Sequence, residues 1–400
     1  MNVGLKILGF GSGVATVCLI SVPESSSAFE QIANSTIFCK WRKSQYHRAD
    51  NARMTMRAVA LKESLISAEA LFVSDSVDYP PAPGKDQAIV KVAYFGLNRM
   101  DIMQRQGTYP VPTGAPNTLG VEFSGSIVTI GDGTESPLQI GDVVFGLVAG
   151  GAYAEYVLCS TKLLMKYETP SAESTFTQLS AGGAPEVWFT ATQALLKIAR
   201  IHENKDRVKC VLIHAGASGV GIAGLQLARA VLGPEAQIFA TVGSDEKVRF
   251  VESVMGATKG INYKKYDFAK VILEYTSGAG ADVVVDFIGQ EYFMRNIAVA
   301  AMDAHIVMLS LMSGSVVDGR VDIAGILRKR LTIQGSTLRS RTIAYQSDVR
   351  ALFETYGLPG LVRGEFVNPV DKVFAWTSVA DAHRYMESNV SMGKIMCVVE

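Results

Sequence analysis

The sequence has few cysteines and histidines, and those that it has are scattered along the chain. It contains five of each among 400 residues, with no C-x-x-C pair and no Cys/His cluster. This pattern argues against a disulfide framework and against a zinc lobe built from closely spaced ligands. An odd number of isolated thiols is typical of a reducing compartment. The cysteines are Cys18, Cys39, Cys159, Cys210 and Cys397.

An excess of either charge sign is also missing. The 38 basic side chains balance the 38 acidic ones, so the formal net charge is zero. No overall field therefore attracts nucleic acid or an anionic membrane, and we expect neither as a partner of the folded part. What is abundant is apolar side chains, at 48% of the residues. A chain of this length and composition can bury a large core.

The first 55 residues differ in composition from the rest. Their apolar run, "LKILGFGSGVATVCLISV", is broken by glycines, is a little short for a membrane span, and precedes the basic "CKWRKSQYHR". Both secretory and mitochondrial targeting segments share some of these features. Translation from Met54 or Met56 is a third possibility. We predict that residues 1–55 lie outside the fold and that the protein is cytoplasmic, with mitochondrial or secretory targeting as the alternative.

The remaining chain changes pattern twice. Residues 56–175 contain short β-rich runs separated by Pro and Gly, such as "QAIVKVAYFGL" and "EFSGSIVTIG", which predict a mostly antiparallel, barrel-like unit. Residues 176–337 alternate helical patterns with apolar strands, which predicts a parallel sheet covered on both faces. Residues 338–400 predict a helix followed by strand, helix and strand. The fold class is therefore α/β.

A burst of glycines follows an apolar strand in "CVLIHAGASGVGIAGLQLARAVLG". The strand is predicted to end at Ala215 and the next helix to begin within the burst. A tight turn, close approach of the backbone to a pyrophosphate and a helix N-terminus near its negative charge require such a pattern. A plain glycine-rich turn is the alternative. The predicted cofactor-binding residues of the turn are Gly216, Ser218, Gly219, Val220 and Gly221.

The end of the next strand, "QIFATV", has no acid where an NAD-binding protein would hold the ribose 2′-hydroxyl. Gly243 and Ser244 follow, and Lys247 lies one turn into the next helix. A hydroxyl, backbone amides and an ammonium suit a 2′-phosphate, so we predict NADPH as the cofactor. In the alternative, Ser244 only caps the helix, and Asp245 is the acid that holds the ribose 2′-hydroxyl of NAD.

Six motifs occur in the order "LNRMDIMQRQGTYP", "LGVEFSG", "IGDVVFGL", "APEVWFTATQAL", "HAGASGVGIAGLQLAR" and "INYKK". Together they resemble the zinc-free medium-chain dehydrogenase/reductases of the quinone oxidoreductase (zeta-crystallin) branch. The resemblance covers Met56 to the C-terminus. It implies a GroES-like β-barrel catalytic domain, formed by residues 56–175 and 338–400, around an inserted Rossmann NADPH-binding domain, residues 176–337. It also implies a homodimer, often joined through the Rossmann sheets.

The resemblance further indicates where metal ligands are missing. Metal-dependent members place a Cys near the position of Asn98 and a His where this chain has Val121, between Gly120 and Glu122. Without a Lewis acid, oxidation of an alcohol is not expected. A quinone or an activated C=C bond accepts hydride without a metal when it is stacked on the nicotinamide.

The same resemblance implies the residues of the site. Tyr109 lies beside the nicotinamide and donates a hydrogen bond to a quinone oxygen as charge develops there. Asn98 positions the reactants, and Asp101 in the same loop is structural. No general acid is expected in the protein, because solvent can protonate a reduced quinone. The remaining residues implied to contact the cofactor are Thr190 near the diphosphate and nicotinamide, Ser244, Lys247 and Tyr263 at the 2′-phosphate, Gly289 at the end of a strand at the cofactor edge, Leu311 and Ser313 in the following strand-end loop, and Ser391 near the C-terminus.

We therefore predict an NADPH-dependent, zinc-independent oxidoreductase that transfers hydride to quinones. Its expected partners are a small-molecule quinone or enone and a second copy of the chain. An enoyl or alkenal double-bond reductase is the alternative within the same fold. A non-catalytic NADPH-binding protein with a structural or RNA-binding role is the alternative from another class, which the neutral charge disfavours.

Overall fold

A computed structural model describes residues 54–62, 66–168, 170, 172, 174–317, 319 and 321–400. Within this range Thr55–Glu400 packs as one unit. Its first strand begins at Thr55, one residue before the predicted start of the fold. The rest of the predicted leader lies outside the described residues. Among the described residues no helix has the length and apolarity needed to cross a membrane.

The first part of the chain, joined by its last two strands, forms mostly antiparallel β-structure, as predicted. The elements are β1 (Thr55–Leu61), β2 (Leu71–Asp78), β3 (Gln87–Gly96), α1 (Arg99–Arg105), β4 (Glu122–Ile130), β5 (Val143–Leu147), β6 (Tyr156–Ser160), β7 (Leu164–Lys166), β14 (Val370–Ala375) and β15 (Lys394–Val398). β1 and β2 pair with each other, and the others form a seven-stranded sheet whose order is β14-β15-β3-β4-β5-β7, with β6 also paired to β3. Only the pair β14–β15 among the described pairings of this sheet is parallel. The pairings of the described residues form an open path rather than a closed ring.

The last two strands return to this first sheet from the far end of the chain. β15 pairs antiparallel with β3, so the C-terminus completes the unit that the N-terminal part began. The return joins both ends of the described chain in one sheet, and the predicted domain boundaries stay a prediction. It also brings residues near 394 to within bonding distance of residues near 98.

The middle of the chain forms a six-stranded sheet in which every described pairing is parallel. Its elements are α2 (Gln178–Ala181), α3 (Pro185–Thr192), β8 (Cys210–Ile213), α4 (Gly219–Leu232), β9 (Gln237–Val242), α5 (Asp245–Ser253), β10 (Lys259–Asn262), α6 (Phe268–Tyr275), β11 (Ala281–Asp286), α7 (Phe293–Val299), β12 (Ala300–Met308), α8 (Ala324–Arg328) and β13 (Thr332–Gly335). The predicted doubly wound sheet is confirmed.

The strand order β10-β9-β8-β11-β12-β13 sets the location of a binding crevice. The chain runs outward in one direction from β8 and in the other from β11. In open α/β sheets, ligands bind beyond the carboxyl ends of the two strands where the order reverses. The glycine turn follows β8 directly, so it lies at this switch point.

Helix α3 connects the two sheets and is firmly held. Pro185 at its start is compatible with the first helical turn, where no amide hydrogen bond is lost. Trp188 is fully buried and stacks on Phe366, with ring centroids 5.7 Å apart. Three further helices follow the second sheet: α9 (Ile343–Tyr356), α10 (Leu358–Arg363) and α11 (Val379–Glu387). Phe353 of α9 also packs on Trp188, so α3 has little freedom to move.

Candidate functional site

The glycine turn is as tight as the sequence predicts. β8 ends at Ile213, two residues earlier than expected, and Ala215 has a left-handed φ of 49°. A Cβ on Gly221 would lie 2.4 Å from the carbonyl oxygen of Ala215, and one on Gly216 would lie 2.6 Å from the Cβ of Ala240. Glycine is therefore required at both positions. It lets the helix start directly against the strand and leaves the turn's backbone open.

The N-terminus of α4 can accept an anion. Ser218 is the N-cap, and its Oγ accepts a hydrogen bond from the Gly221 amide at 3.1 Å. The amides of Gly219 and Val220 have no acceptor among the described residues. Free amides at a helix start bind phosphate oxygens through hydrogen bonds and the helix dipole. The turn thus fits the pyrophosphate of a dinucleotide.

The three residues predicted for the 2′-phosphate lie together at the end of β9. Ser244 is the N-cap of α5 and accepts from the Lys247 amide at 3.2 Å. A Cβ on Gly243 would lie 3.1 Å from the Tyr263 hydroxyl, so that ring covers the strand end. Burial lowers the pKa of Lys247, the charges of Asp371 and Glu246 raise it, and the charge of Lys264 lowers it. An ammonium at this strand end favours an anion there.

Asp245, the residue of the NAD alternative, has other partners. Its carboxylate accepts from the Asn262 side chain at 2.7 Å and forms an ion pair with Lys265. These interactions lower the pKa of Asp245, chiefly through Lys265. Asp245 is also the first residue of α5 rather than the last residue of β9. Its oxygens are therefore already used within the protein.

The predicted strand-end loops meet beyond β11 and β12. Gly289 has a φ of +83°, and a Cβ on it would lie 2.8 Å from Leu311. Gly289 lies three residues after the end of β11, not at its end. The Ser313 hydroxyl donates to the carbonyl of Ile288 at 2.8 Å and accepts from the Glu291 amide at 3.0 Å. Ser313 thus ties the two loops together. Whether it also contacts a cofactor stays a prediction.

Ser391 lies in the loop before β15, partly buried. The structure joins this loop to the 2′-phosphate residues, because the Lys247 ammonium donates to the carbonyl of Asn389 at 2.9 Å. The role predicted for Ser391 is therefore sterically reasonable, but no contact of its side chain tests it.

Tyr109 lies in the loop after α1, partly buried, with the guanidinium of Arg339 5.5 Å from its ring centroid. Burial raises the pKa of Tyr109, and the Glu186 charge raises it further, whereas Arg339 lowers it. A phenol in this setting keeps its proton at neutral pH. It can donate a hydrogen bond to an oxygen that becomes negative during reaction.

Asn98 lies in a buried charged network. Its side-chain oxygen accepts from the Lys394 ammonium at 2.9 Å, and its amide donates to Glu122 at 2.8 Å. Lys394 also forms an ion pair with Glu122 at 2.6 Å and donates to the carbonyl of Leu97. Both ends of the Asn98 amide are therefore fixed. Among the described residues no group of three His, Cys, Asp or Glu side chains is arranged to bind a metal ion.

Asp101 has structural contacts, in line with the expectation for it. Its carboxylate accepts hydrogen bonds from the backbone N–H of Asn98 at 2.8 Å, from the Tyr153 hydroxyl at 3.0 Å and, more weakly, from the backbone N–H of Gly120 at 3.3 Å. The first of these caps the start of α1. Burial nevertheless raises the pKa of Asp101 to about 6.

Thr190 and Glu186 share one face of α3, one turn apart. The Thr190 hydroxyl lies 3.5 Å from Glu186 Oε1, and the Glu186 amide donates to Glu122 at 2.9 Å. Glu186 is only 7% exposed. Burial, followed by the charge of Glu122, raises the pKa of Glu186 to about 7.

Comparison with known families covers both parts of this arrangement. Residues 84–169 match the family described as alcohol dehydrogenase GroES-like domain, and residues 219–355 match that described as zinc-binding dehydrogenase. A quinone oxidoreductase of Pseudomonas aeruginosa is 30% identical over 321 residues, which cover 79% of this chain and 92% of that protein. The chain belongs to the medium-chain dehydrogenase/reductases of the quinone oxidoreductase type. It is thus an oxidoreductase of a fold that binds a nicotinamide dinucleotide.

Other relatives of this medium-chain dehydrogenase/reductase differ in length and chemistry. The low-reducing polyketide synthase drtA of Aspergillus calidoustus is 26% identical over 349 residues, but the chain spans only 14% of its length. A mycobacterial protein solved with NADPH is 26% identical, with a TM-score of 0.69 over 86% of this chain and all of that one. The CurK enoyl reductase shares the fold, with 24% identity and a TM-score of 0.69 over 86% of this chain and 99% of that one.

Four residues of the site were missed by sequence reasoning: Glu122, Glu186, Arg339 and Lys394. Glu122 and Glu186 lie inside the quoted motifs "LGVEFSG" and "APEVWFTATQAL". An acid in an apolar segment was the available signal, because such residues are seldom buried without a partner. Lys394 in "MGKIMCVV" carried the same signal. Nothing in the sequence placed Arg339 beside Tyr109.

Proposed function

We propose that this medium-chain dehydrogenase/reductase transfers hydride from NADPH to quinones without a metal. One observation carries the proposal. A Cβ on Gly219 would lie 3.2 Å from Lys394 Cδ, so the network that holds Asn98 touches the turn expected to hold the pyrophosphate. This proximity supports the proposal that residues of the first sheet lie beside the nicotinamide, where the acceptor would meet it.

The bound dihydronicotinamide would supply the hydride, and the protein would orient and polarise the acceptor. The Tyr109 hydroxyl donates a hydrogen bond to the acceptor oxygen, which gains negative charge as hydride arrives. Arg339 holds the Tyr109 ring through a cation–π contact. Asn98, fixed by Lys394 and Glu122, forms a rigid floor. Rigid positioning of this kind accounts for much of the rate in reactions that need no other catalyst.

NADPH is favoured over NADH by the residues at the end of β9. Lys247 and Lys264 supply positive charge, Ser244 adds a hydroxyl, and Asp245 is engaged by Lys265. The similarity to a mycobacterial protein that binds NADPH supports this choice. Independence of a metal is favoured by Asn98, whose side-chain oxygen already accepts from an ammonium.

Reduction of an activated C=C bond is the second candidate. It is supported by the similarity to a segment of a reducing polyketide synthase and by the fold shared with an enoyl reductase. The same hydride geometry serves both acceptors. They differ in the proton that must follow the hydride.

The test is oxidation of NADPH by the full chain with an ortho-quinone, a para-quinone and an enone. NADH serves as the cofactor control, Tyr109→Phe as the site variant, and dialysis against a chelator as the metal control. We expect quinone turnover with NADPH, a weaker rate with NADH, no loss on chelation, and a 10²-fold or greater loss in the variant. Binding of NADPH without turnover of any acceptor would reject the enzyme in favour of a non-catalytic role.

We also propose a homodimer formed at the outer edge of the second sheet. β13 pairs with β12 on one side only among the described residues. Several apolar side chains near this edge are exposed, among them Leu327 at 81%, Val316 at 68% and Ile323 at 64%. In a dimer, a strand of the second copy would pair with the edge of β13, and the second copy would also cover the exposed apolar side chains. We expect Leu327→Asp to convert a dimer to a monomer in light scattering; a wild-type monomer at micromolar concentration would reject the dimer.

A further inference from the structure

The described residues of the site include three buried carboxyl groups and two buried cations. Asp101 and Glu122 are fully buried and Glu186 is nearly so, while Lys394 and Arg339 are 3% and 4% exposed. Lys394 pairs with Glu122. The hydrogen bonds that Arg339 donates go to the carbonyl of Ala149 and to the side chain of Gln104, so it is not bonded to any of the three carboxyls.

The three carboxyls receive unequal support as anions. Asp101 accepts hydrogen bonds from two amides and one hydroxyl. Glu122 accepts from the Lys394 ammonium, the Asn98 side chain and the Glu186 amide. Glu186 has only the Thr190 hydroxyl, at 3.5 Å. No Lys or Arg among the described residues lies within ion-pair distance of it.

A buried carboxylate without a cation or strong donors is costly, so the group retains its proton instead. Glu186 is the member of the cluster for which this holds most clearly. The charged and titratable groups around it come from every neighbouring element: Asp101 on α1, Tyr109 in the loop after α1, Glu122 on β4, Arg339 after β13 and Lys394 on β15. Burial and the charges of Glu122 and Asp101 raise the pKa of Glu186, and together they outweigh the lowering by Lys394 and Arg339.

Geometry and charge both connect Glu186 with the predicted site. The Thr190 hydroxyl, one turn along α3, lies 3.5 Å from the Glu186 carboxyl, and the Glu186 amide bonds to Glu122 of the network that holds Asn98. The Arg339 guanidinium, 5.5 Å from the Tyr109 ring centroid, lowers the pKa of both Tyr109 and Glu186. Glu186 thus belongs to the buried cluster that adjoins Tyr109.

We propose that Glu186 is the proton reservoir of the reaction and acts through Tyr109. This inference rests on the proposed function. In the step, hydride adds to the acceptor and its carbonyl oxygen becomes an oxyanion. The Tyr109 O–H bond breaks as the acceptor O–H bond forms. The phenolate then takes the proton of the Glu186 carboxyl, directly or through one water, and Glu186 regains a proton from solvent before the next turnover.

The inference bears on the acceptor class. The oxyanion of a reduced ortho-quinone is weakly basic and can leave as an anion, so it needs the protein's proton least. The enolate formed from an enone is more basic and needs it most. A built-in proton source therefore extends the site from quinones towards activated double bonds. It departs from the expectation that solvent alone supplies the proton.

The test is the pH dependence of turnover from pH 6 to 9 for the wild type, Glu186→Gln and Glu186→Asp, with one ortho-quinone and one enone. For the wild type we expect the enone rate to fall above pH 7, approaching tenfold per pH unit. Glu186→Gln should be slow and independent of pH, with a loss on the enone at least tenfold larger than on the quinone. Glu186→Asp should restore part of the pH dependence, which loss of packing alone could not produce.

Asp101→Asn is the matched control, because Asp101 is the other buried carboxyl whose pKa is raised. We expect this variant to lose thermal stability and keep the fall in rate above pH 7. If Glu186→Gln retains that fall, or if Asp101→Asn abolishes it, Glu186 is not the reservoir and the proposed function is unaffected. If the wild type reduces neither acceptor, the proposed function and this inference are both rejected.

Discussion

The glycine turn and the buried charge cluster lie against each other, yet they are built in opposite ways. The turn is one short segment, from Ala215 to Gly221, whose shape follows from glycines and a serine cap. The cluster is assembled from distant segments, and Lys394 and Asn98 are separated by 296 positions in the chain. The turn binds through backbone groups, whereas the cluster acts through side-chain charge.

The difference teaches where each region is vulnerable. At Gly221 in the turn, an added methyl group meets backbone atoms that cannot move far. In the cluster, a lost charge leaves its partner buried and unpaired, which costs more than the pair contributed. Each region can therefore be damaged by a substitution that would be harmless in the other.

The largest expected effect is on the cluster, from Lys394→Met. The variant leaves Glu122 buried without a cation, and we expect a loss of about 3–5 kcal/mol in the free energy of unfolding. Urea unfolding at pH 7 measures it. The double variant Glu122→Gln, Lys394→Met should recover a large part of the loss, since no unpaired charge remains. A single-variant loss below about 1 kcal/mol would contradict the importance of this pair.

The turn is tested by Gly221→Ala. The new Cβ would lie 2.4 Å from the Ala215 carbonyl oxygen, so strand and helix must separate, at a cost of about 1–3 kcal/mol. NADPH binding, measured by fluorescence, should also weaken. Gly224→Ala is the matched control in the same helix, because its Cβ would meet only the flexible end of Ile213 at 3.0 Å. Equal losses of stability and NADPH binding in both variants would show that the close backbone contact at Gly221 does not require glycine.

Glu186 gives the cluster a pH-dependent stability. Its pKa rises from 4.5 to about 7 on folding, so the folded state holds the proton more tightly than the unfolded state. Its stabilising contribution is therefore complete below pH 4.5 and is lost as the pH rises through 7. We expect the free energy of unfolding of Glu186→Gln to exceed that of the wild type by about 1–3 kcal/mol at pH 8. At pH 4.5 that advantage should vanish; an advantage that is the same at both pH values would contradict the assignment.

The smallest expected effect lies at the end of β9 and concerns cofactor choice. Lys247→Ala removes an ammonium from the proposed 2′-phosphate pocket, which should weaken NADPH binding by about 1–2 kcal/mol and leave NADH binding unchanged. The measured quantity is the ratio of KM values for the two cofactors. Lys265→Ala is the control, because Lys265 pairs with Asp245 instead. If Lys265→Ala changes the KM ratio as much as Lys247→Ala does, the 2′-phosphate does not bind at Lys247.

Prediction from the sequence was most accurate for local geometry. The tight turn at Gly216 and Gly221 follows from a short segment with fixed positions around a strand end. The cofactor contacts expected for Ser218, Ser244, Lys247 and Tyr263 stay predictions. Strand ends were less well placed: β8 ends two residues before Ala215, and Gly289 lies three residues after β11. Apolar or small residues that follow a strand directly are difficult to tell from strand residues by pattern alone, even where the backbone has already turned.

The sequence by itself determined the parallel sheet, the glycine turn and the family to which the chain belongs, because hydrophobic periodicity and glycine spacing act over a few residues. Only the tertiary structure decided that Glu122, Glu186, Arg339 and Lys394 surround Tyr109 and Asn98. Their proximity depends on β15 returning to β3 and on α3 lying between the two sheets. The proton affinity of Glu186 is a consequence of that assembly, since burial and neighbouring charge exist only once the chain has folded.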